Sequence, residues 1–437
     1  MTPHSSAEPV ALEWHRSPLP SMPQRVEDAG LDFSFLVELL AKVLYVRGQL
    51  RLPDLAAHVK LPPGVLEPLL TFMRTERLCE MVRRGETEGA MAYNLTDIGR
   101  SRAQDFLQRS QYAGPAPVSL KAYVSQVEKQ SIVDMGVTRE KLNHAFSGIV
   151  IKQQLLKQFG AAMNSGRAIF VYGPAGSGKT YISERLLGLL SGSVAIPYAI
   201  EVDHEVIQVF DPVVHEPVAV QVPKPSVLDR GRSDDGRWVL CRRPVVLTGA
   251  ELTLAMVDLE FDHKARFYQA PPQVKANNGL FIVDDLGRQL VSPQDLMNRW
   301  IVPLDRRIDY LALHTGKKFQ IPFDVIVVFS SNIQPSKLAD EAFLRRLGYK
   351  IFVGPLDEAE YRRIFMQVCE QTRIPFVEDG YRYVLEELHG KKGKPLLACH
   401  PRDILCQVRD IARFNGVPPE LSRELLNWAW DNYFARD

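Results

Sequence analysis

Residues 173–180 read Gly173-Pro174-Ala175-Gly176-Ser177-Gly178-Lys179-Thr180. This stretch matches the phosphate-binding loop pattern, in which glycines, a lysine and a hydroxyl residue stand at fixed spacing. The apolar residues 168–172 predict a buried strand before it, and apolar residues at helical spacing after Thr180 predict a helix. Since the pattern requires the order strand, loop and helix, the chain is predicted to bind a nucleoside triphosphate.

The chemistry of this loop gives each part of it a role. The glycines let the backbone fold around phosphates with its N–H groups pointing inward, and the helix N-terminus adds positive potential. Lys179 is expected to reach the β- and γ-phosphates, and the Thr180 hydroxyl to bind Mg²⁺. We therefore expect ATP and Mg²⁺ at residues 173–180.

Composition limits the kinds of protein this chain can be. The 53 basic and 52 acidic residues nearly cancel, so no global signature of polyanion binding is present. The five cysteines form no CxxC pair, which fits a reducing compartment and buried thiols. A signal peptide is not apparent, and no apolar run approaches the ~20 residues of a spanning helix. A soluble cytoplasmic protein without membrane contact is expected.

Two carboxylates follow a second apolar stretch. Residues 280–283 predict a buried strand, and Asp284 and Asp285 come directly after it. Such an arrangement places acidic groups beside Mg²⁺ and the attacking water. Asp284 is expected to hold the metal and Asp285 to orient or deprotonate the nucleophile.

The first third of the chain predicts a separate unit. Residues 1–30 contain five prolines and are expected to be disordered. Helices are predicted over 33–46, 53–59, 63–78 and 97–107, with hairpin strands over 79–84 and 91–96. Residues 31–110 therefore resemble a winged-helix domain, and residues 111–141 are interpreted as a linker.

After residue 142 the chain alternates strands and helices, which predicts an α/β fold with a parallel sheet covered on both faces. Strands are predicted over 168–172, 194–202, 280–283, 325–329 and 351–353. Residues 142–355 are assigned to this nucleotide-binding domain, with an insertion at about 203–275, and residues 356–437 to a helical lid.

Together the motifs resemble those of the AAA+ ATPases. Asn332, which follows the strand over 325–329, falls on the first sensor position of that family. The segment containing Arg345 and Arg346 is similar to its arginine-finger segment, and Arg402 to the second sensor in the lid. The resemblance implies a ring, with a hexamer favoured, because a finger arginine acts on the neighbouring subunit's nucleotide. Arg346 matches the finger position better, and Arg345 is the reserve.

Within the superfamily, the stretch 276–280 and Gly287-Arg288 resemble the MoxR and CbbQ branch, whose members remodel partner proteins. The same motifs are also similar to those of the bacterial enhancer-binding activators. Asp285 stands where the family usually has Glu, which leaves the rate of hydrolysis open. Phe267-Tyr268-Gln269-Ala270 lies near the family's pore loops, although packing against the sheet is the favoured interpretation.

Three functions are compatible with these patterns. The preferred one is an ATP-hydrolysing AAA+ ring that remodels or activates a partner protein recruited by residues 31–110. The second is a regulatory ATPase that binds DNA through that unit, which is less favoured because acidic residues lie among its arginines. The third is a nucleotide switch that does not hydrolyse ATP, suggested by Asp285.

Overall fold

A computed structural model describes residues 19–83, 91–133, 135–218, 234–338 and 341–434. Its helices are α1 Phe33–Arg47, α2 Leu52–Val59, α3 Pro63–Thr75, α4 Asp97–Arg109, α5 Leu120–Lys129, α6 Arg139–Ala145, α7 Gln153–Ser165, α8 Lys179–Arg185, α9 Pro272–Lys275, α10 Pro293–Arg306, α11 Pro335–Leu338, α12 Glu341–Leu344, α13 Glu358–Thr372, α14 Glu378–Arg382, α15 Cys399–Asn415 and α16 Arg423–Tyr433. Short 3₁₀ helices span Glu27–Ala29, Leu186–Leu189 and Ala255–Val257, and a π-helical segment spans Tyr383–Gly390.

Its strands are β1 Leu50–Arg51, β2 Cys79–Arg83, β3 Met91–Leu95, β4 Val118–Ser119, β5 Ile169–Tyr172, β6 Ser193–Pro197, β7 Ala199–Val202, β8 Glu205–Gln208, β9 Trp238–Arg242, β10 Val245–Thr248, β11 Glu260–Asp262, β12 Phe267–Gln269, β13 Leu280–Val283, β14 Ile308–Ala312, β15 Lys318–Pro322, β16 Ile326–Ser331 and β17 Tyr349–Phe352. Across the described ranges, every helix falls short of a bilayer span in length or in apolar character.

The centre of the molecule is a five-stranded sheet in the order β10-β13-β16-β5-β17. All four strand pairs are parallel. The residues of β13 and β16 are buried throughout, because apolar side chains cover both faces of the sheet. One face packs against α7 and α8 and the other against α10. The predicted α/β class and its parallel sheet are confirmed.

One strand of this sheet was assigned wrongly from the sequence. Residues 194–202 do not belong to it: they form β6 and β7, which pair in two other sheets. The fifth strand is instead β10, which lies inside the range 203–275. β10 has four residues and pairs on one side only, so Leu247 remains 48% exposed. A short edge strand with one exposed face gives a weaker hydrophobic signal than residues 194–202.

A second five-stranded sheet has the order β11-β12-β8-β7-β4. The residues between β7 and α9 supply three of its strands, and β6 and β9 form an antiparallel pair beside it. Tyr268 is buried and contacts His314, and Phe267 packs edge-on against Tyr112. These two aromatic residues therefore pack against neighbouring structure, in agreement with the favoured interpretation of that segment.

The N-terminal unit comprises α1 to α4 and the antiparallel sheet β1-β3-β2. The predicted helices and hairpin strands are present, β1 was not predicted, and the turn between β2 and β3 lies outside the described residues. Disorder over residues 1–30 does not hold for 19–30, because Val26 and Ala29 are buried in the core of this unit. Residues 1–18 lie outside the described ranges. Arg237 joins the unit to the second sheet by donating to Ala29 O and Pro117 O.

A buried polar cluster lies at the amino ends of β13 and β16. This amino-edge cluster consists of Arg243, Asn278, Arg307 and Asp324. The Asp324 carboxylate accepts hydrogen bonds from Asn278 Nδ2 at 2.6 Å, Arg307 Nη1 at 2.7 Å and Ile132 N at 3.0 Å. Arg243 donates to Asn278 O at 2.7 Å, and burial lowers the pKa of Arg243 to about 10. The cluster fixes the segment after α5 to the sheet.

The C-terminal region predicted as a helical lid, called the lid below, consists of α13 to α16 and the π-helical segment, around a core that includes Tyr361, Phe365 and Trp430. It contacts the loop of residues 173–178 directly, since Cys399 N donates to Gly176 O at 3.1 Å. The boundaries proposed for the individual domains stay predictions.

Candidate functional site

A cleft of about 1300 Å³ opens at the carboxyl ends of the parallel strands. The loop after β5, the turn after β13 and the first residue after β16 line one side of it. The opposite side comes from α13, the start of α15 and residues 148–152. Open parallel sheets bind ligands at this edge, where strand ends and helix N-termini converge.

The loop of residues 173–178 connects β5 to α8 with a backbone that requires glycine at defined points. Gly176 and Gly178 have φ angles of 80° and 93°, in the left-handed region. At Gly173, an added Cβ would lie 2.0 Å from Val353 O, so no side chain fits there. The glycines predicted to shape the loop are thus needed by its geometry.

Lys179 is the first residue of α8 and is buried, with 6% exposure. Its Nζ donates to Asn332 Oδ1 at 2.7 Å and to Pro174 O at 3.0 Å. Burial lowers the pKa of Lys179, and the nearby carboxylates of Asp285 and Asp284 oppose that shift. The ammonium group is therefore held at the base of the cleft by neutral partners.

Asn332 connects Lys179 to the second carboxylate. Its Nδ2 donates to Asp285 Oδ1 at 3.0 Å while its Oδ1 faces Lys179. Asp285 itself has a φ of 48°, a left-handed conformation that is uncommon for a residue with a side chain. The three residues follow or begin elements at three neighbouring strand ends, and they form one continuous polar chain.

Thr180 and Asp284 form a second contact. Thr180 Oγ1 donates to Asp284 Oδ2 at 2.8 Å. Asp284 is placed by its backbone, since its N–H continues the ladder by donating to Thr248 O at 2.8 Å. Hydroxyl and carboxylate oxygens are the hard ligands that Mg²⁺ prefers, so this pair fits the predicted metal.

One hydroxyl in the loop has no partner among the described residues. Ser177 Oγ is buried and makes no hydrogen bond. A buried hydroxyl without a partner costs free energy, and Ser177 lines the cleft, so a ligand atom there would satisfy it. This position was predicted as part of the loop, but its orphaned oxygen could not be seen in the sequence.

The structure separates the predicted arginines. Arg402 and Arg288 line the cleft and are exposed. Arg346 does not line it: its Nε donates to Asp305 Oδ2 at 2.7 Å, in an ion pair with α10. Arg345 is exposed on the same segment. Asp340, which precedes this segment, lies outside the described residues.

Two residues at the site were not predicted. Gln289 hydrogen-bonds to the backbone of the turn that carries Asp284 and Asp285, and Cys399 lies against Gly176, where an added Cβ would be 2.4 Å from its Sγ. Neither belongs to a recognisable pattern, because both act across a fold contact. In the described part of the chain, no three His, Cys, Asp or Glu residues are grouped as a metal site.

Comparisons with known proteins cover parts of the chain. A domain of unknown function, DUF8689, matches residues 357–432, which form the helical lid. No curated protein matches the chain.

Two similar solved structures are of NtrX from Brucella abortus. One, a complex with ADP, is 15% identical with a TM-score of 0.40 over 68% of this chain. The other is 13% identical with a TM-score of 0.38 over 78% of this chain. The chain spans 59% and 62% of the length of these two NtrX chains. At this similarity neither structure identifies a function for the chain.

Proposed function

We propose that this chain is an AAA+ ATPase that binds ATP with Mg²⁺ in the cleft and hydrolyses it. The observation that carries the proposal is the polar chain from Lys179 through Asn332 to Asp285, beside the contact between Thr180 and Asp284. This places a buried cation, an amide, a metal-binding pair and a second carboxylate at one edge of the sheet. Phosphoryl transfer needs these groups together.

The loop binds the phosphates. Its backbone N–H groups and the N-terminus of α8 supply positive potential, and Lys179 supplies a full charge at their centre. Ser177 Oγ, which lacks a partner in the described structure, gains one from a phosphate oxygen. ATP binding therefore satisfies a buried polar group that the free protein leaves unsatisfied.

Mg²⁺ would be held by Thr180 and Asp284, directly or through water. When bound, it neutralises charge on the β- and γ-phosphates. The backbone of Asp284 is held by the hydrogen bond from its N–H to Thr248 O, so its carboxylate would bind the metal from a fixed position.

Asp285 acts on the nucleophile. Its carboxylate accepts a proton from a water molecule as the water oxygen bonds to the γ-phosphorus and the bond from that phosphorus to the β-phosphate oxygen breaks, giving ADP and inorganic phosphate. Asn332 orients this carboxylate through its Nδ2. Asp is one methylene shorter than Glu. The left-handed backbone conformation of Asp285 determines the direction in which this shorter side chain leaves the backbone.

We also propose that hydrolysis requires an assembled ring, a hexamer by resemblance to the family. Arg402 contacts the nucleotide from the lid of the same subunit. We assign the arginine that acts on the neighbouring subunit's nucleotide to Arg345, because Arg345 is exposed whereas Arg346 forms an ion pair with Asp305. Arg346 then holds the segment that carries Arg345 against α10. A finger arginine contributes ~10³ to 10⁵ in rate.

The N-terminal unit is proposed to be a winged-helix domain that recruits a partner protein for remodelling. Phe33 and Phe72 form an edge-to-face pair on α1 and α3 and are 40% and 41% exposed. An exposed aromatic pair with Glu67 and Arg74 nearby on α3 suits a protein surface better than a phosphate backbone. DNA binding by this unit is the alternative outcome.

The proposal is tested by calorimetry with Mg²⁺ and ATP, together with release of inorganic phosphate. We expect binding and turnover by the wild type, and loss of both in Lys179→Ala. Lys157→Ala, an exposed lysine outside the cleft, is the matched control and should behave as wild type. Binding without phosphate release would identify a nucleotide switch. Absence of binding would refute the proposal.

A further inference from the structure

Gln289 lies four residues beyond Asp285 and uses its side chain entirely on backbone atoms. Its Nε2 donates to Asp284 O at 2.8 Å, to Asp285 O at 3.3 Å and to Gly249 O at 3.3 Å. Its Oε1 accepts from Gly287 N at 2.8 Å. One amide group therefore bonds to three backbone atoms of the turn that carries both carboxylates, and also to Gly249 O outside that turn.

That turn needs external support because its backbone is unusual. Asp285 has a φ of 48° and Gly287 a φ of 107°. A left-handed residue with a Cβ is strained and persists only where surrounding contacts hold it. Within the turn, Arg288 N donates to Asp285 O at 3.0 Å, and Leu286 N donates to Ser330 O at 2.7 Å. Gln289 adds the bonds that reach the carbonyl of Asp284.

Gln289 also connects the turn to the edge of the sheet. Gly249 directly follows β10, and its N–H is held by Glu251 Oε1 at 2.8 Å. The amide of Gln289 thus bridges the ends of β10 and β13 beside the cleft.

We propose that Gln289 is a positioning residue for ATP hydrolysis: it holds the Asp284–Asp285 turn so that Asp285 faces the nucleophilic water. The inference rests on the proposed ATPase activity. Gln289 acts through Asp285 and not on the phosphates, since it does not line the cleft. We call the hydrogen bonds from Gln289 to the Asp284–Asp285 turn the clamp. Displacing a reacting group by about 1 Å can cost ~10²-fold in rate, so loss of the clamp is expected to lower turnover more than nucleotide affinity.

The test compares isosteric variants of Gln289 in steady-state phosphate release. Gln289→Met keeps the length and removes all hydrogen bonds, whereas Gln289→Glu keeps the acceptor for Gly287 and turns the donor into a charge facing carbonyl oxygens. We expect kcat to fall about ten- to a hundredfold in Gln289→Met and further in Gln289→Glu, with KM changed less than about threefold. Gln320→Glu, at an exposed glutamine on β15, should retain the wild-type kcat.

Amide hydrogen exchange over residues 280–292 gives a readout that does not depend on turnover. Exchange there should accelerate in Gln289→Met while the lid and the N-terminal unit stay unchanged. Wild-type kcat in both variants would overturn the clamp and leave the ATPase intact, and so would equal losses in kcat and in nucleotide affinity. Absence of phosphate release from the wild type itself would instead overturn the proposed function and this inference with it.

Discussion

The same two strands, β13 and β16, end in polar residues at both edges of the sheet, and the two edges differ in what those residues do. At the amino edge, Asp324 accepts bonds from Asn278, Arg307 and a backbone N–H in a buried environment. At the carboxyl edge, the Asp285 carboxylate accepts one side-chain hydrogen bond within the described ranges, from Asn332, and lines the cleft. The oxygens of Asp324 are occupied by hydrogen-bond donors, whereas those of Asp285 can still accept hydrogen bonds.

This difference separates structure from chemistry. A buried carboxylate with all its lone pairs used holds elements together but cannot accept a proton without breaking those bonds. A half-buried carboxylate with free oxygen surface can bind water and exchange protons. Substitutions at the two edges should therefore affect different measurements, and the predictions below test that separation.

The largest expected effect is a loss of kcat on removal of the arginine that is proposed to act on the neighbouring subunit's nucleotide. Arg345→Ala should lower kcat by about 10³ to 10⁵, since it removes charge stabilisation from the neighbour's transition state. Mixing it with Asp285→Asn should restore part of the phosphate release, because some interfaces then combine an intact carboxylate with an intact arginine. The mixture is assayed after light scattering has confirmed assembly.

Arg346→Ala serves as the comparison within the same segment. If its role is the ion pair with Asp305, Asp305→Asn should reproduce its effect on stability, at ~0 to 1 kcal/mol. A large loss of turnover in Arg346→Ala alone, with Asp305→Asn normal, would return the finger role to Arg346. A mixture that remains inactive would show that the arginine acts within its own subunit.

Asp285→Asn should lower kcat by about 10² to 10⁴ and leave ATP affinity near that of the wild type, because the change removes a proton acceptor and keeps the shape. Its free energy of unfolding in urea should also be unchanged within about 0.5 kcal/mol. A comparable loss of affinity measured by calorimetry would remove Asp285 from the role of base.

Asp324→Ala should do the reverse at the amino edge. Removing this carboxylate leaves Arg243 and Arg307 without their buried counter-charge, and such losses cost about 3 to 5 kcal/mol in unfolding free energy. Nucleotide affinity at low temperature should persist in the fraction that remains folded. Asp410→Ala, at an exposed position on α15, is the control and should change stability by less than about 0.5 kcal/mol. Wild-type stability in Asp324→Ala would break the proposed contrast.

A pH-dependent effect is expected in the lid, at the start of α15. Burial, with smaller contributions from the neighbouring His389 and Lys394, lowers the pKa of His400 from 6.5 to about 4. Between those two values the unfolded chain binds the proton that the folded lid excludes. Stability is therefore complete above pH 6.5 and falls as the pH drops towards 4, by at most about 3 kcal/mol. Urea unfolding at pH 7 and pH 5 measures this loss, which His400→Phe should reduce.

The sequence patterns predicted the parts of the fold that depend on local chemistry. The loop at 173–180, the strand before Asp284 and the strand before Asn332 were identified because apolar runs end at polar residues there. The edge strand Val245–Thr248 was missed, since it has only four residues, of which Val246 and Thr248 alone are buried, and it follows Arg242-Arg243-Pro244. The contacts of Arg346 with Asp305 and of Gln289 with Gly249 join residues about 40 positions apart, and no spacing rule reports them.

The contact between the lid and the loop of residues 173–178 has a thermodynamic consequence. Cys399 N bonds to Gly176 O, and the missing side chain of Gly176 leaves the space that Cys399 Sγ fills. Suppose that a phosphate bound in the loop changes the strength of this contact. Thermodynamic linkage then requires that a ligand which stabilises the contact changes the phosphate affinity by the same factor as the phosphate changes the affinity for that ligand. Under that condition, a molecule that binds only the outer surface of α13 to α16 changes the affinity of the cleft for its ligand. The coupling passes through the contact between Cys399 and Gly176.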